Sequence, residues 1–172
     1  METLIIDMNN KNHCKRDIDI KNLFCYIAGQ GKKATKTKAI YLNAKGLYKK
    51  YDHAAKQVIG MQKALEKNKG RRCYQMVVSF PKSMTDKNMV IIIAEAIAEK
   101  IFEEHQVYYG VHGDTDNLHI HYAINAVSYN DGLKWHQSKS EFNKFKRQIL
   151  GITNENLVTY GYSKLRLGEK EV

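Results

Sequence analysis

The stretch QVYYGVHGDTDNLHIHYAINAVSY, residues 106–129, decides how this chain folds. Two runs of β-branched and aromatic residues, QVYYGVH and LHIHYAINAVSY, flank GDTDN, a connection of hairpin length bearing a glycine and two aspartates. On a strand alternate residues share a face. His119 and His121 therefore point one way, while Leu118, Ile120, Tyr122 and Ile124 point the other. The apolar side predicts a core, and the imidazole side is expected to lie open to solvent. Three of the seven histidines fall between positions 112 and 121. A register that sets His112 opposite or diagonal to His119 brings three imidazole nitrogens to one point, the arrangement a divalent ion requires. Three neutral nitrogen ligands leave coordination positions for a substrate, the mark of a catalytic rather than a structural site. Asp114 and Asp116, in the turn, can accept a proton from a ligand's far nitrogen and fix its tautomer.

Outward from the hairpin, apolar spacing predicts helices on both sides. DIDIKNLFCYIAG from Asp17 has apolar residues at Ile20, Leu23, Phe24 and Ile27 and stops at Gly29. A helix from Asp52 as N-cap is expected to run to Gly70, and one capped by Thr85 to carry the run Met89–Ile93 buried on more than one side. CYQMVVSF, Cys73 to Phe80, reads as a strand ended by Pro81, and Leu4 to Ile6 forms a short apolar segment. LKWH is a further short strand, Ser140 caps the helix EFNKFKRQIL ending at Gly151, and NLVTYGYSKLRL reads as a final strand. The pattern predicts one α+β domain over residues 1–172, a mainly antiparallel central sheet carrying the hairpin, with helices packed over it.

A formal charge of +10 and a pI near 9.4 attract polyanions, nucleic acid first and an anionic membrane second, and suit a small substrate poorly. No run of 18 apolar residues exists, and METLIIDMNNKNH lacks the basic and apolar regions of a signal peptide, which predicts a soluble intracellular chain without a membrane partner. Cys14, Cys25 and Cys73 are odd in number and show no CxxC spacing, so free thiols are expected.

HGDTDNLHIHYAIN resembles the third motif of plasmid mobilisation relaxases of the VirD-like, MOBP class, within the HUH endonuclease superfamily, where the letters stand for histidine, hydrophobic residue, histidine. The agreement includes His112, the acidic turn, His119, His121 and Asn125. YQMVVSFP, Tyr74 to Pro81, resembles the strand before the long helix of those proteins, and the order of elements agrees from about residue 18 to 150. The resemblance implies site- and strand-specific nicking of single-stranded DNA at an origin of transfer by tyrosine transesterification, leaving a 5′-phosphotyrosyl intermediate. It also implies a divalent ion, Mg2+ or Mn2+, on His112, His119 and His121. Asp114 and Asp116 are then base or supporting candidates, relaxosome proteins are candidate partners, and the location is the bacterial cytoplasm.

Eleven tyrosines compete for the role of nucleophile. The family carries it near the N-terminus on a helix before the histidine strand, and NLFCYIAG puts Tyr26 there. From spacing alone Tyr26 is equally a core aromatic, beside Ile27 and three residues after Leu23. In rolling-circle replication initiators, another branch of the superfamily, the tyrosine follows the histidines, and Tyr160, Tyr162 and Lys164 would then serve. Other readings are a non-catalytic nucleic-acid binding module and a metal-dependent hydrolase or oxygenase on a small β scaffold. The last usually needs a carboxylate ligand, and no glutamate stands on the histidine strand. Lys32, Lys33, Lys36 and Lys38 in the loop after Tyr26, and Lys144, Lys146 and Arg147 after the hairpin, are expected to border one groove and contact phosphates. Asn125 is grouped with these DNA contacts, and Trp135 is a candidate to stack on an unpaired base.

Overall fold

The computed structural model describes residues 1–8, 14–31, 39–113 and 115–169. Its elements follow the order β1 (Thr3–Met8), α1 (Asp17–Ile27), β2 (Ala39–Lys45), α2 (Tyr51–Ala64), β3 (Cys73–Ser79), α3 (Lys87–Ile101), β4 (His105–His112), β5 (His119–Ser128), α4 (Lys139–Thr159) and β6 (Arg166–Leu167). The strands form one sheet in the order β2-β4-β5-β3-β1-β6, antiparallel at every pair but β1–β6. The α+β class and the interior place of the hairpin are as the sequence predicts.

Both faces of the sheet are covered. On one, Ile120, Tyr122 and Ile124 of β5 pack with Val90, Ile93 and Ile97 of α3 and Phe145, Ile149 and Leu157 of α4. On the other, Tyr108 and Ala123 meet Ile20, Phe24 and Ile27 of α1 and Ala54, Ala55 and Val58 of α2. The Phe24 ring stacks on Tyr108 at 5.1 Å. The histidine face is therefore interior, which corrects the expectation that it lies open. The three cysteines are free thiols.

Several boundaries differ from those read in the sequence. α4 continues through Gly151 because its buried residues Phe145, Ile149, Thr153 and Leu157 recur every four positions on both sides of it. That packing outweighs the ~1 kcal/mol an interior glycine costs. NLVT is accordingly helix, and only Arg166–Leu167 form a strand. Ser138, not Ser140, is the N-cap, in a capping box with Glu141. Asp86 replaces Thr85 at the start of α3, its carboxylate accepting from the Met89 amide. Lys50 rather than Asp52 is the N-cap of α2. That helix stops before Gly70, because Glu66 turns left-handed at φ 55° and the Lys67 amide donates back to the Gln62 carbonyl at 2.8 Å. LKWH contributes a single bridge, Lys134 to Val127. β2, which the sequence reading did not register, is an edge strand on β4.

Candidate active site

The hairpin register sets His112 directly opposite His119, and Gly110 opposite His121. Their ring centroids lie 4.6 Å (His112–His121), 4.9 Å (His119–His121) and 5.6 Å (His112–His119) apart. One nitrogen from each falls within 4.8 Å of the other two.

Backbone carbonyls settle two of the tautomers. A carbonyl only accepts, so His112 must carry its proton on Nε2 to donate to the Ile27 carbonyl at 2.8 Å, which leaves the Nδ1 lone pair as ligand. By the same logic His119 Nδ1–H donates to the Asn117 carbonyl at 2.9 Å, and Nε2 is the ligand atom. His121 Nδ1 faces the side-chain amide of Gln75 at 3.5 Å, while its buried Nε2 meets no hydrogen-bonding partner among the described residues. Burial, then the neighbouring His112 and His119, push the His121 imidazole down to about 3, so the ring is neutral near pH 7 and keeps a lone pair on one of its two nitrogens. Three imidazoles, two oriented by carbonyls behind them and one with a buried Nε2 that meets no partner among the described residues, fit a divalent cation.

α1 brings Tyr26 over this cluster. Its C-terminus closes in a Schellman motif, with Gly29 at φ 69° and the Gln30 amide donating to the Cys25 carbonyl. Phe24 and Ile27 are buried against the sheet, whereas Tyr26 is 41% exposed at its margin. The Tyr26 ring stands edge-on to His121 at 5.2 Å and tilted to His112 at 6.1 Å. Of the two readings of Tyr26 left open by its spacing, core packing does not describe a ring so exposed.

The far end of α1 is anchored by ion pairs. Asp17 lies 2.5 Å from Arg72 and 2.9 Å from Lys63. Lys63, then Arg72, hold its carboxyl below the ordinary range against the pull of burial. Arg72 is itself buried and donates from Nε to Gln62.

The family model for the MobA/VirD2-like relaxase nuclease domain matches residues 26–156, more than half of the chain. The chain belongs to this relaxase family. Among curated proteins it is 37% identical over 79 residues to the Escherichia coli protein TraI, covering 43% of this chain and 10% of that one. It is 27% identical over 108 residues to a Staphylococcus aureus protein Rlx, covering 61% of this chain and 34% of that one. The domain thus spans about a tenth and a third of these relatives. A solved structure described as "Molecular Basis of Vancomycin Resistance Transfer in Staphylococcus aureus" shares the fold at a TM-score of 0.70 and 13% identity, covering 99% of this chain and 100% of that one.

Within this relaxase domain, the structure brings Tyr26, His112, His119 and His121 together and separates other predicted residues from them. Asn125 is fully buried, accepting from Gln62 at 2.6 Å and donating to Gln106 at 3.0 Å, so it braces the fold and has no surface for DNA. Lys144, Lys146 and Arg147 lie on α4, across the sheet from α1, and do not share a groove with the histidines. Lys146 rests over the Phe142 ring at 5.2 Å. Trp135 packs edge-on against Phe145 at 5.3 Å and Tyr74 at 5.2 Å in the α4 layer rather than presenting a ring beside the histidines. Asp116 does not orient a histidine: it is exposed and paired with Lys82 at 2.8 Å, which holds its carboxyl below the ordinary range. Asp114, Lys32, Lys33, Lys36 and Lys38 lie outside the described residues. Tyr162 donates to the Asp86 carboxylate that caps α3, on the sheet face opposite α1. The groups that orient the ligands, the carbonyls of Ile27 and Asn117, carry no side-chain signature, which is why sequence reading overlooked them.

Proposed function

We propose that this relaxase domain nicks one strand of DNA at an origin of transfer by transesterification from Tyr26, with a divalent cation held by His112 Nδ1, His119 Nε2 and His121 Nε2. The Tyr26 ring 5.2 Å from His121 carries this reading. A bound Mg2+ or Mn2+ would draw charge from the non-bridging oxygens of the scissile phosphate. The tyrosine oxygen forms the new ester to phosphorus, the bond to the 3′ oxygen breaks, and the 3′ hydroxyl leaves with a proton. A phenol near pKa 10 is a poor nucleophile in water. A ring at the margin of the histidine cluster supports this role, because a cation held there would draw charge from the phosphate that the tyrosine attacks. Asp114 remains the candidate base from its position in the motif, and Asp116, paired with Lys82, is the lesser candidate.

Lys32, Lys33, Lys36 and Lys38 follow α1 directly in the chain and are the proposed phosphate contacts, supported by the net charge of +10. The proposed partners are single-stranded DNA and relaxosome proteins in the bacterial cytoplasm. Among the described residues no helix is long and apolar enough to cross a membrane. The test is to incubate the protein with Mn2+ and single-stranded oligonucleotides carrying candidate origins and to look for a protein–DNA adduct resistant to denaturant. A divalent-ion-dependent adduct supports the proposal. Binding without any adduct, on an origin the parent element transfers, favours a non-catalytic binding module.

A further inference from the structure

Gly110 sits on β4 between Tyr108 and His112, on the face that α1 covers, and pairs in register with His121. A methyl group placed on it would lie 3.2 Å from the Ile27 carbonyl oxygen, 3.2 Å from the Tyr41 carbonyl oxygen and 2.8 Å from Leu42 Cδ2. The end of α1 therefore rests on bare backbone, in the space any other residue would fill. The Ile27 carbonyl that touches this position is the same one that accepts from His112 Nε2–H at 2.8 Å. Tyr26 is its immediate chain neighbour.

From this juxtaposition we infer that Gly110 is a positioning residue: it seats α1 so that one carbonyl both sets the His112 ligand atom and holds Tyr26 over the histidines. The inference rests on the reading of His112, His119 and His121 as ligands of the cation. Helix carbonyls in the last turn lack intrahelical donors, so Ile27 has every reason to take the imidazole N–H. A cation on Nδ1 makes Nε2–H a better donor, which tightens the same bond. Helix seating and ion binding thus become one equilibrium, each strengthening the other by the same factor. Lifting α1 by a few tenths of an ångström lengthens the bond to Ile27 and lets His112 turn, although no ligand has been altered.

The strand itself has no need of the glycine. Alanine is the better residue in a strand interior, so without this contact Gly110→Ala would be neutral or stabilising. Mn2+ affinity, measured by titration of the protein alone, is expected to fall about tenfold in Gly110→Ala, as it does when a group behind a metal ligand is lost. The double variant Gly110→Ala/Leu42→Ala removes the clash with the leucine but not the one with the Ile27 carbonyl, and should stay weak. Unchanged affinity in Gly110→Ala, or full recovery in the double variant, overturns the inference while leaving the metal site in place. Failure of the wild-type chain to bind Mn2+ at all removes the metal reading itself. Should Gly110→Ala not fold, amide hydrogen exchange on the wild-type chain decides. Added Mn2+ should slow exchange across residues 24–28, and an unaltered rate there, with the ion bound, overturns the coupling.

Discussion

The two faces of β5 are both buried, yet they are held by different forces. On the α3–α4 side, Ile120, Tyr122 and Ile124 enter an aliphatic and aromatic cluster in which any well-shaped apolar neighbour would serve. On the α1–α2 side, the end of the strand carries His119 and His121, and the helix above them is fixed by the bond from His112 to Ile27 and by the ion pairs of Asp17. Non-directional packing gives the first face its stability, whereas directional contacts give the second its geometry. Damage to the apolar cluster of the first face should unfold the protein, and damage at the histidine end of the second, outside the cluster around Phe24 and Tyr108, should leave a folded protein that has lost its chemistry.

The largest expected effect belongs to the apolar face. Phe102 is almost fully buried, with its ring 5.7 Å from Tyr122 and 6.0 Å from Phe145. Phe102→Ala should destabilise by about 3–5 kcal/mol in urea denaturation. His121→Ala removes a smaller ring and with it a buried nitrogen that meets no hydrogen-bonding partner among the described residues, so its net effect should be about 1 kcal/mol or less. The same variant should lose Mn2+ binding. Equal destabilisation by the two substitutions would erase the distinction between the faces.

Acid sharpens the same contrast. The His121 imidazole is pushed from 6.5 down to about 3 by burial and by His112 and His119. Between those values the unfolded chain takes up a proton that the folded chain refuses. This contribution to stability is therefore present above about pH 6.5 and is lost as pH falls toward 3. Denaturation midpoints followed from pH 7 to pH 4 should fall more steeply for wild type than for His121→Ala. Parallel curves would place the acid sensitivity elsewhere.

The smallest effect lies away from both faces. Glu66 occupies a left-handed position that ordinarily takes glycine, at φ 55°. Glu66→Gly should raise stability by up to about 1 kcal/mol and leave ion binding untouched. A loss of Mn2+ affinity in this variant would show that the end of α2 communicates with the histidines.

The alternation of HIHYAIN and the five residues of GDTDN made the hairpin legible and narrowed the partner of His119 to His112 directly opposite or diagonal, because strand period and turn length are local properties; the structure sets the two directly opposite. The burial of those imidazoles was not legible. It depends on α1 crossing the sheet, a contact between Ile27 and His112 that are 85 residues apart. Asn125 was misread for a related reason. A polar side chain on a strand gives no sign of whether water or Gln62 will satisfy it, and here Gln62, Gln106 and the Val127 amide do so. Tyr26 shows the opposite case. Its neighbours Phe24 and Ile27 mark the buried stripe, and the ring between them turns out to the margin beside the histidines.

That placement is the central claim, and one variant tests it. Tyr26→Phe keeps the ring and its edge-on contact with His121 but removes the only atom of that side chain able to form a phosphate ester. It should fold, bind Mn2+ and bind single-stranded DNA as the wild type does, while yielding no adduct resistant to denaturant. An adduct that persists in Tyr26→Phe, with the nucleotide mapped by peptide analysis to Tyr160 or Tyr162, would contradict the account and transfer the nucleophile to the other side of the sheet.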